Sequence, residues 1–442
     1  MNLKPHCMRK IHVHLLTLLC LLASTAMAQQ RTLAITGALI YTAAGEPIAN
    51  GVLIVHNGKI VSVGTAATPI PADAERIDAS GKVVMPGIVD THSHLGGPDG
   101  GDNSAALNPD ARVLDAVNPT SDGFKKALAG GLTTLNVMPG SGHLMSGQTI
   151  YIKMRAGNTI EDLLLVNDKG VYGGLKMANG TNPMRGTTGF PGTRSKEAAM
   201  DRELFLKAID YKRKLDKAGK DSSKMPERDL RMEAMVEVLQ GKRIVHFHTH
   251  KAIDILTCLR LQKEFGFRLV LHHVTEGYKV AREIAAAGVP CSIINIDSPG
   301  GKAEAMEFWL GNGEALIKAG VLVALHTDDP ITDSRFLIRS AALSIREGMS
   351  REDAIKALTI NGARILELDS RVGSLQVGKD ADFIILSGDP FSVYTKVLQT
   401  WVEGVKRFDL SNPADKAFAT GGFQVYTPGA FAEDDDGEKN EN

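Results

Sequence analysis

The chain contains little cysteine, few aromatic residues and almost no net charge. Among its 442 residues are four cysteines and 5% aromatics, and the formal net charge at pH 7 is −1. Cys7 and Cys20 lie near the N-terminus, which leaves Cys258 and Cys291, too few thiols for a disulfide framework or a thiolate zinc site. The balanced charge provides no electrostatic basis for binding nucleic acid or an anionic membrane.

Long hydrophobic runs are also absent, except at the N-terminus. There a basic start and an apolar core, 13–23, precede Ala26-Met27-Ala28, a small-x-small pattern typical of signal-peptide cleavage. We therefore expect residues 1–28 to be a signal peptide and the mature protein to be exported, periplasmic or secreted, without a membrane anchor. The apolar core is short for a membrane span, which disfavours the alternative of an uncleaved anchor.

The chain after residue 28 has β-rich ends and a middle in which strands alternate with helices. With 43% hydrophobic residues, its length suffices for one large domain and a smaller companion. The alternation predicts a parallel α/β barrel over 85–368, and the two ends, 29–84 and 369–412, are expected to pair into one small β domain. Residues 413–442 are expected to form a partly disordered tail, because their end is acidic and polar. Strands of the ends are predicted over 33–41, 52–56, 59–63, 75–78, 381–385 and 398–402.

The segment 83–94 is predicted to contain a buried strand, and it ends in two histidines with one residue between them. Because side chains alternate along a strand, His92 and His94 are expected to face the same side. Two imidazoles so placed form half of a site for a first-row metal. An isolated pair of this kind usually binds nothing, so the prediction depends on the later strands that also end in candidate ligands.

One of these later strands, 243–250, carries three histidines on one face. The carboxyl ends of parallel barrel strands meet at one rim, so His248 and His250 should lie nearer to that rim than His246. We expect His246 to be an interior side chain. His250 is expected either to line the substrate pocket or to bond a loop.

Two more strands complete the set. In the strand that ends at 273, alternation favours His273 facing inward and His272 facing the surrounding helices. The segment 321–328 ends in Asp328, with His326 on the same face as a partner behind the site.

Four motifs lie at 51–60, 85–94, 359–366 and 378–385. With them the chain resembles the amidohydrolase superfamily, in the branch of imidazolonepropionase and related metal-dependent cyclic amidases and dipeptidases. This resemblance covers nearly all of the chain after residue 28. It implies an α/β fold with a (β/α)8 TIM-type barrel and a small β-sandwich formed by both chain ends.

The resemblance also implies a site for one or two divalent metal ions, and zinc is the metal that we expect there. A lysine matching Lys176 is carbamylated in many two-metal members, where its carbamate bridges the ions. Relatives often read Gly-Glu-Asn-Pro just after it, whereas this chain has Thr181 in place of the acid, which puts full occupancy by two ions in question. The ligands that match the family pattern are His92, His94, Lys176, His248, His273 and Asp328.

From this site we predict that the protein hydrolyses an amide or cyclic amide C–N bond in a small peptide or an amino-acid-derived substrate. A divalent ion lowers the pKa of bound water to about 7. Asp328 is expected to take the water's proton and pass it to the leaving nitrogen, while His273 or His250 donates to the oxyanion. Arg185 is the candidate for a substrate carboxylate, with Arg155 and Arg194 as alternatives.

Other function classes stay open. Esters, lactones and phosphoesters are hydrolysed with similar metal sites, and an exported binding protein can keep the fold without catalysis. Deamination of adenosine or cytosine is disfavoured, because those relatives place a glutamate shortly after the histidine that matches His248. The partner is a small molecule, and a homo-oligomer is compatible with the sequence.

Overall fold

The computed structural model describes residues 32–98, 100–295 and 302–421. The predicted signal peptide and most of the predicted tail lie outside these ranges, although the first residues of that tail form a helix, Pro413–Thr420. The described fold is mixed α/β, as the sequence predicts. Within the described ranges, no helix combines the length and the apolar character needed to cross a membrane.

The strands follow one another from the chain-end region through the α/β middle and back. In chain order they are β1 (Thr32–Ile40), β2 (Ile48–His56), β3 (Lys59–Gly64), β4 (Glu75–Asp78), β5 (Val83–Pro86), β6 (Ile88–Ser93), β7 (Leu132–Val137), β8 (Met145–Gln148), β9 (Ile150–Lys153), β10 (Leu175–Ala178), β11 (Val245–Thr249), β12 (Leu269–His273), β13 (Cys291–Ile293), β14 (Val323–Leu325), β15 (Phe383–Leu386), β16 (Val397–Val402) and β17 (Val405–Asp409).

The helices lie mostly between the strands of the middle region. They are α1 (Asp122–Ala129), α2 (Ile160–Leu163), α3 (Arg194–Ala218), α4 (Leu230–Leu239), α5 (Ala252–Phe265), α6 (Ala281–Ala286), α7 (Asn312–Lys318), α8 (Leu337–Arg346), α9 (Arg351–Leu358), α10 (Ile360–Ile365) and α11 (Pro413–Thr420). Short 3₁₀ turns lie at Val113–Asp115, Ser222–Lys224, Gly277–Lys279, Ala303–Ala305 and Ser334–Phe336.

Both ends of the described chain contribute to one sheet of eight strands, which we call the chain-end sheet. Its order is β17-β16-β15-β5-β1-β2-β3, with β4 paired to β1. The strand β5 joins the two halves, because it pairs in parallel with β1 and antiparallel with β15. The rings of Phe383 and Trp401 stack in its core with centroids 5.4 Å apart. The predicted pairing of the two ends is therefore present, while a second layer that would make a sandwich stays a prediction.

The middle region forms two further sheets. One has the order β14-β13-β12-β11-β10-β8, in which β10 to β14 are parallel; the other has the order β6-β7-β9, in which β6 and β7 are parallel. A parallel bridge between Ser93 and Asp329 joins the two sheets. The described strands do not form one closed ring, because β8 and β9 belong to different sheets and β6 and β14 are not paired as strands. Both β8 and β9 are antiparallel to their neighbours β10 and β7. A closed (β/α)8 barrel stays a prediction.

Helix ends in this region show the expected capping chemistry. The long helix α3 begins after Thr193, whose side chain accepts a hydrogen bond from the backbone N–H of Lys196, and it ends at Gly219. Helix α5 ends at Gly266, which has the left-handed φ of +71° that glycine accommodates without strain. Helix α5 leads directly into β12, and because β10, β11 and β12 pair in parallel, their carboxyl ends lie side by side.

A buried group of charged residues joins the chain-end sheet to β9; we call it the inter-sheet ion cluster. Lys153 is fully buried and pairs with Asp380 and, at 3.0 Å, with Asp382. Arg155 makes a two-pronged contact with Glu403, with N–O distances of 2.8 and 2.7 Å. Arg155, a candidate for binding substrate, therefore holds the two sheets together.

Candidate metal centre

Three side chains from opposite ends of the α/β region form a compact triangle of metal-binding atoms. The Nε2 atoms of His92 and His94 are 3.2 Å apart, and Asp328 Oδ1 lies 3.2 Å from the first and 2.9 Å from the second. Ligands held at about 2.0 to 2.1 Å by a tetrahedral ion are about 3.4 Å from one another. The triangle therefore has nearly the size that a bound zinc ion requires.

The surrounding backbone fixes the orientation of this triangle. His94 Nδ1 donates to the carbonyl of Met138 at 2.8 Å, which leaves Nε2 as the nitrogen with a lone pair. Asp90 is fully buried and accepts from the backbone N–H groups of His92 (3.1 Å) and Thr327 (3.2 Å). It thereby ties the end of β6 to the segment that carries Asp328. Burial raises the pKa of Asp90 to about 7.

Lys176, a residue of β10, lies beside the triangle. Its Nζ is 3.0 Å from His92 Nε2 and 3.1 Å from Met138 Sδ, and the side chain is fully buried. Burial lowers the pKa of Lys176 to about 7, although Asp328 opposes this shift. A large share of the amine is therefore neutral near neutral pH, which is the form that reacts with carbon dioxide.

A second group of imidazoles adjoins the first; we call His248, His250 and His273 the imidazole trio. Their ring centroids are 4.7 Å apart for His248 and His250, 4.3 Å for His248 and His273, and 4.9 Å for His250 and His273. Burial lowers the pKa of each ring, and that of His250 falls to about 3. All three are therefore neutral at physiological pH and have lone pairs to offer.

His246, His272 and His326 form a layer beneath these groups. His246 Nδ1 is 2.9 Å from His272 Nε2, and its Nε2 is 3.3 Å from the hydroxyl of Tyr151. His326 Nδ1 bonds to Ser292 Oγ at 2.7 Å, and its Nε2 lies 3.3 Å from His273 Nδ1. His246 is interior and His326 stands behind the site, as the sequence predicts.

The predicted position of His272 is wrong. Its ring does not face the helices; its centroid lies 5.0 Å from that of His92 and 5.1 Å from that of His246. The reason is that His272 lies opposite the inward-facing His248 in the parallel register of β11 and β12, so alternation itself turns it inward. The left-handed φ angles of His273 (+68°) and Val274 (+53°) end that alternation, which lets His273 reach the centre as well. Both members of the pair therefore reach the imidazole layers.

The arginines and Thr181 have other partners. Arg185 bonds to the side chain of Asn103 and, at 2.9 Å, to the carbonyl of Gly142, and it stacks over Phe190 at 4.4 Å. No described contact joins Arg185 to the histidines, so its role toward substrate stays a prediction. Arg194 pairs with Asp254 and Glu304.

Glu304 approaches the position where relatives carry the acidic residue. The backbone N–H of Thr181 donates to Glu304 Oε1 at 2.6 Å. Glu304 is buried and precedes α7, far from Thr181 in the sequence. A sequence comparison at position 181 alone could not have found this carboxylate.

A solved amidohydrolase from Thermotoga maritima MSB8 is 34% identical in sequence, with a TM-score of 0.81, over 85% of this chain and 100% of that one. The chain belongs to the amidohydrolase superfamily. A family model described as "Amidohydrolase family" matches residues 260–407 of this chain. Among similar proteins, amidohydrolase tasK of Hapsidospora irregularis is 27% identical over 405 residues, 83% of this chain and 41% of that protein. Imidazolonepropionase of Picrophilus torridus is 27% identical over 371 residues, 76% of this chain and 88% of that enzyme.

These similarities place the amidohydrolase in the imidazolonepropionase-like branch, as the motifs predicted. The predicted enzyme class, a hydrolase acting on carbon–nitrogen bonds, is likewise confirmed. The chain spans less than half of the Hapsidospora irregularis relative.

Proposed function

We propose that this amidohydrolase uses a divalent metal to hydrolyse an amide or cyclic amide C–N bond in a small peptide or an amino-acid-derived substrate. The observation that carries the proposal is the triangle of His92, His94 and Asp328, whose ligand atoms lie 2.9 to 3.2 Å apart. Membership of the family supports hydrolysis of a carbon–nitrogen bond. The class of substrate, a small peptide or an amino-acid derivative, is part of the proposal.

The residues at this position fit a divalent ion. Buried polar atoms are normally hydrogen-bonded, yet His273 Nε2 and both ring nitrogens of His248 have no hydrogen-bond partner among the described residues. Imidazole nitrogens together with one carboxylate suit zinc, which we propose as the metal. When bound, such an ion lowers the pKa of water toward 7 and polarises a substrate carbonyl.

Asp328 is the proposed acid and base. Burial opposes its ionisation, but the adjacent His94 imidazole and the nearby positive charge of Lys176 hold the pKa of Asp328 below its usual value. The carboxylate is therefore ionised at neutral pH and can take a proton from the attacking water. Asp328 has a left-handed φ of +52°, and its backbone N–H donates to the carbonyl of His92 at 3.0 Å. This bond holds the carboxylate at the rim, where it can pass the proton to the departing nitrogen.

Two roles were predicted for His273, and its surroundings support one of them better. Its Nδ1 faces His326 Nε2 at 3.3 Å, so only Nε2 is available to the site. A single nitrogen cannot ligate an ion and donate a hydrogen bond at once. We therefore propose His273 as a metal ligand. It could donate a hydrogen bond to the oxyanion only if its Nε2 did not bind the ion.

A substrate screen tests the proposed function. The purified protein, loaded with zinc or with manganese, is offered N-acyl amino acids, dipeptides, hydantoins and lactones. We expect hydrolysis of an amide or cyclic amide that disappears in the Asp328→Asn variant. A preference for lactones or phosphoesters would assign the second class of hydrolase, and metal binding without any turnover would favour the binding-protein alternative.

Three further points are proposals as well. We propose that Lys176 carries a carbamate, because its amine is buried and 3.0 Å from His92 Nε2. The bridge between Ser93 and Asp329 supports two sheets that form the wall of one barrel, which a crystal structure would test. Export rests on the sequence of residues 1–28, and N-terminal sequencing of the mature protein tests it.

A further inference from the structure

The imidazole trio has one more member than the family pattern requires. That pattern accounts for His248 and His273 and leaves His250 unassigned. We infer that His250 is a metal ligand, and that it completes with His248 and His273 a three-imidazole site that holds a cation without help from Lys176. The inference deepens the proposed function, because it concerns an ion of the same centre.

The three rings are close enough to share one ion. One ligand nitrogen from each lies within 4.8 Å of the other two, so small side-chain rotations bring them to the spacing of a tetrahedral site. The side chains are deeply buried, with exposed fractions of 2% for His248, 6% for His250 and 2% for His273. A cation there would be shielded from bulk water.

Hydrogen bonds orient the free nitrogens toward the trio. His250 Nδ1 lies 2.7 Å from Thr275 Oγ1, and when it donates its proton to this oxygen, Nε2 keeps the lone pair. That Nε2 has no hydrogen-bond partner within the part of the chain that the structure describes. A buried nitrogen without a partner costs free energy, and a bound cation would satisfy it together with the free nitrogens of His248 and His273.

The sequence explains how the trio forms. His248 and His250 stand two positions apart where β11 ends, as His92 and His94 do at the end of β6. In the parallel register of β11 and β12, Thr249 lies opposite His273, so His273 stands between His248 and His250. The chain thus uses a His-x-His pair twice, once at each of the two ligand groups.

The two groups have separate donors. His92, His94 and Asp328 form the first, which lies next to Lys176, and the trio forms the second with three imidazoles. Three protein ligands and one open position are the arrangement of catalytic zinc sites with three histidines. A carbamate on Lys176 could occupy the open position, but the trio does not need it to bind an ion.

Metal binding by the metal-free mature protein tests this inference without turnover. Zinc is titrated against a chromophoric chelator, and bound metal is counted by mass spectrometry. We expect two zinc ions per chain, and we expect His250→Ala to weaken one of them by at least about 100-fold. Lys176→Met should keep this ion. His246→Gln is the matched control, a buried histidine on the same strand whose two nitrogens already have partners, and it should keep both ions.

Cobalt provides a signature that a misfolded variant could not produce. In His250→Cys a thiolate replaces the imidazole, and we expect a thiolate-to-cobalt charge-transfer band that the unchanged protein lacks. Absence of this band in a folded variant would overturn the inference. Loss of one ion in Lys176→Met with both ions retained in His250→Ala would also overturn it.

The outcomes separate this inference from the proposed function. A protein that binds a single ion at His92, His94 and Asp328 and still hydrolyses an amide would overturn the role of His250 alone. A protein that binds two ions with the expected dependence on His250, yet hydrolyses no substrate, would leave the trio standing and remove the proposed activity.

Discussion

Asp328 Oδ1 lies 2.9 Å from His94 Nε2, although 234 positions of the chain separate the two residues. The contact is possible because the segment after β14 returns to the end of β6, where Ser93 and Asp329 form a parallel bridge. The first and last strands of the α/β region therefore bring an imidazole and a carboxylate together, and neither strand could build this contact alone.

The Asp328→Asn variant should retain metal but lose turnover. The amide keeps one oxygen near His92 and His94, but it cannot accept the proton of the attacking water, so kcat should fall by about 10³-fold or more. Steady-state kinetics with metal analysis of the same sample checks this. Asp216→Asn, on the exposed surface of α3, is the matched control and should keep normal kinetics. Near-normal kcat in Asp328→Asn would remove this residue from its proposed role.

Lys176 should take up carbon dioxide in a pH-dependent way. The neutral amine forms an N–C bond to carbon dioxide and releases a proton. Because burial lowers the pKa of Lys176 to about 7, more of it is reactive above that pH than below it. We expect metal-loaded protein in ¹³C-bicarbonate to show a carbamate NMR signal that weakens as the pH falls from about 8 to about 6. The signal should vanish in Lys176→Met, and its persistence there would assign it to another amine.

The metal-free protein should lose stability in acid, in part through His246. Burial lowers the folded-state pKa of His246 to about 3, below the unfolded value of about 6.5. Between these values the unfolded chain binds a proton that the folded chain does not. The free energy of unfolding should therefore fall by about 1.4 kcal/mol per pH unit for each such histidine as the pH decreases.

The His246→Gln variant isolates this contribution. Its unfolding free energy should depend less steeply on pH, by about one proton, in urea titrations between about pH 7 and about pH 5. An unchanged slope would mean that His246 does not stay neutral in the folded protein.

Lys153→Met should destabilise the contact between β9 and the chain-end sheet. The substitution leaves Asp380 with Lys59 and Arg371, but it removes the cation that pairs with the buried Asp382. Breaking a buried pair in this way costs about 3 to 5 kcal/mol. Urea unfolding measures the effect. Lys207→Met, which removes an exposed pair with Glu203, is the control and should change stability by less than about 1 kcal/mol. Similar losses in both variants would contradict a special role for the inter-sheet ion cluster.

Much of the centre could be predicted because strand geometry is simple. A period of two placed His92 and His94 on one side of β6, and their Nε2 atoms lie 3.2 Å apart. The same reasoning put His246 in the interior. The predicted strands of both chain ends correspond to strands of the chain-end sheet, because short strand-like runs were already visible there in the sequence.

The failures have an equally definite cause. Alternation holds only while the backbone stays extended, and His273 leaves that region with a φ of +68°. Both His272 and His273 therefore reach the centre, and the prediction that only one of the two faces inward was wrong for His272. The position of Glu304 beside Thr181 depends on the path of a long connection, which no local pattern encodes. The ion pairs of Lys153 likewise depend on contacts between distant segments.

The central place of β5 in the chain-end sheet has a consequence for biosynthesis. On one side β5 pairs with β1, which leaves the ribosome first, and on the other with β15, which emerges only when nearly all of the chain has been made. Until then one edge of β5 offers unpaired backbone groups to any neighbouring strand. A nascent or truncated chain that stops before residue 383 should therefore aggregate, whereas the complete chain seals this edge by itself.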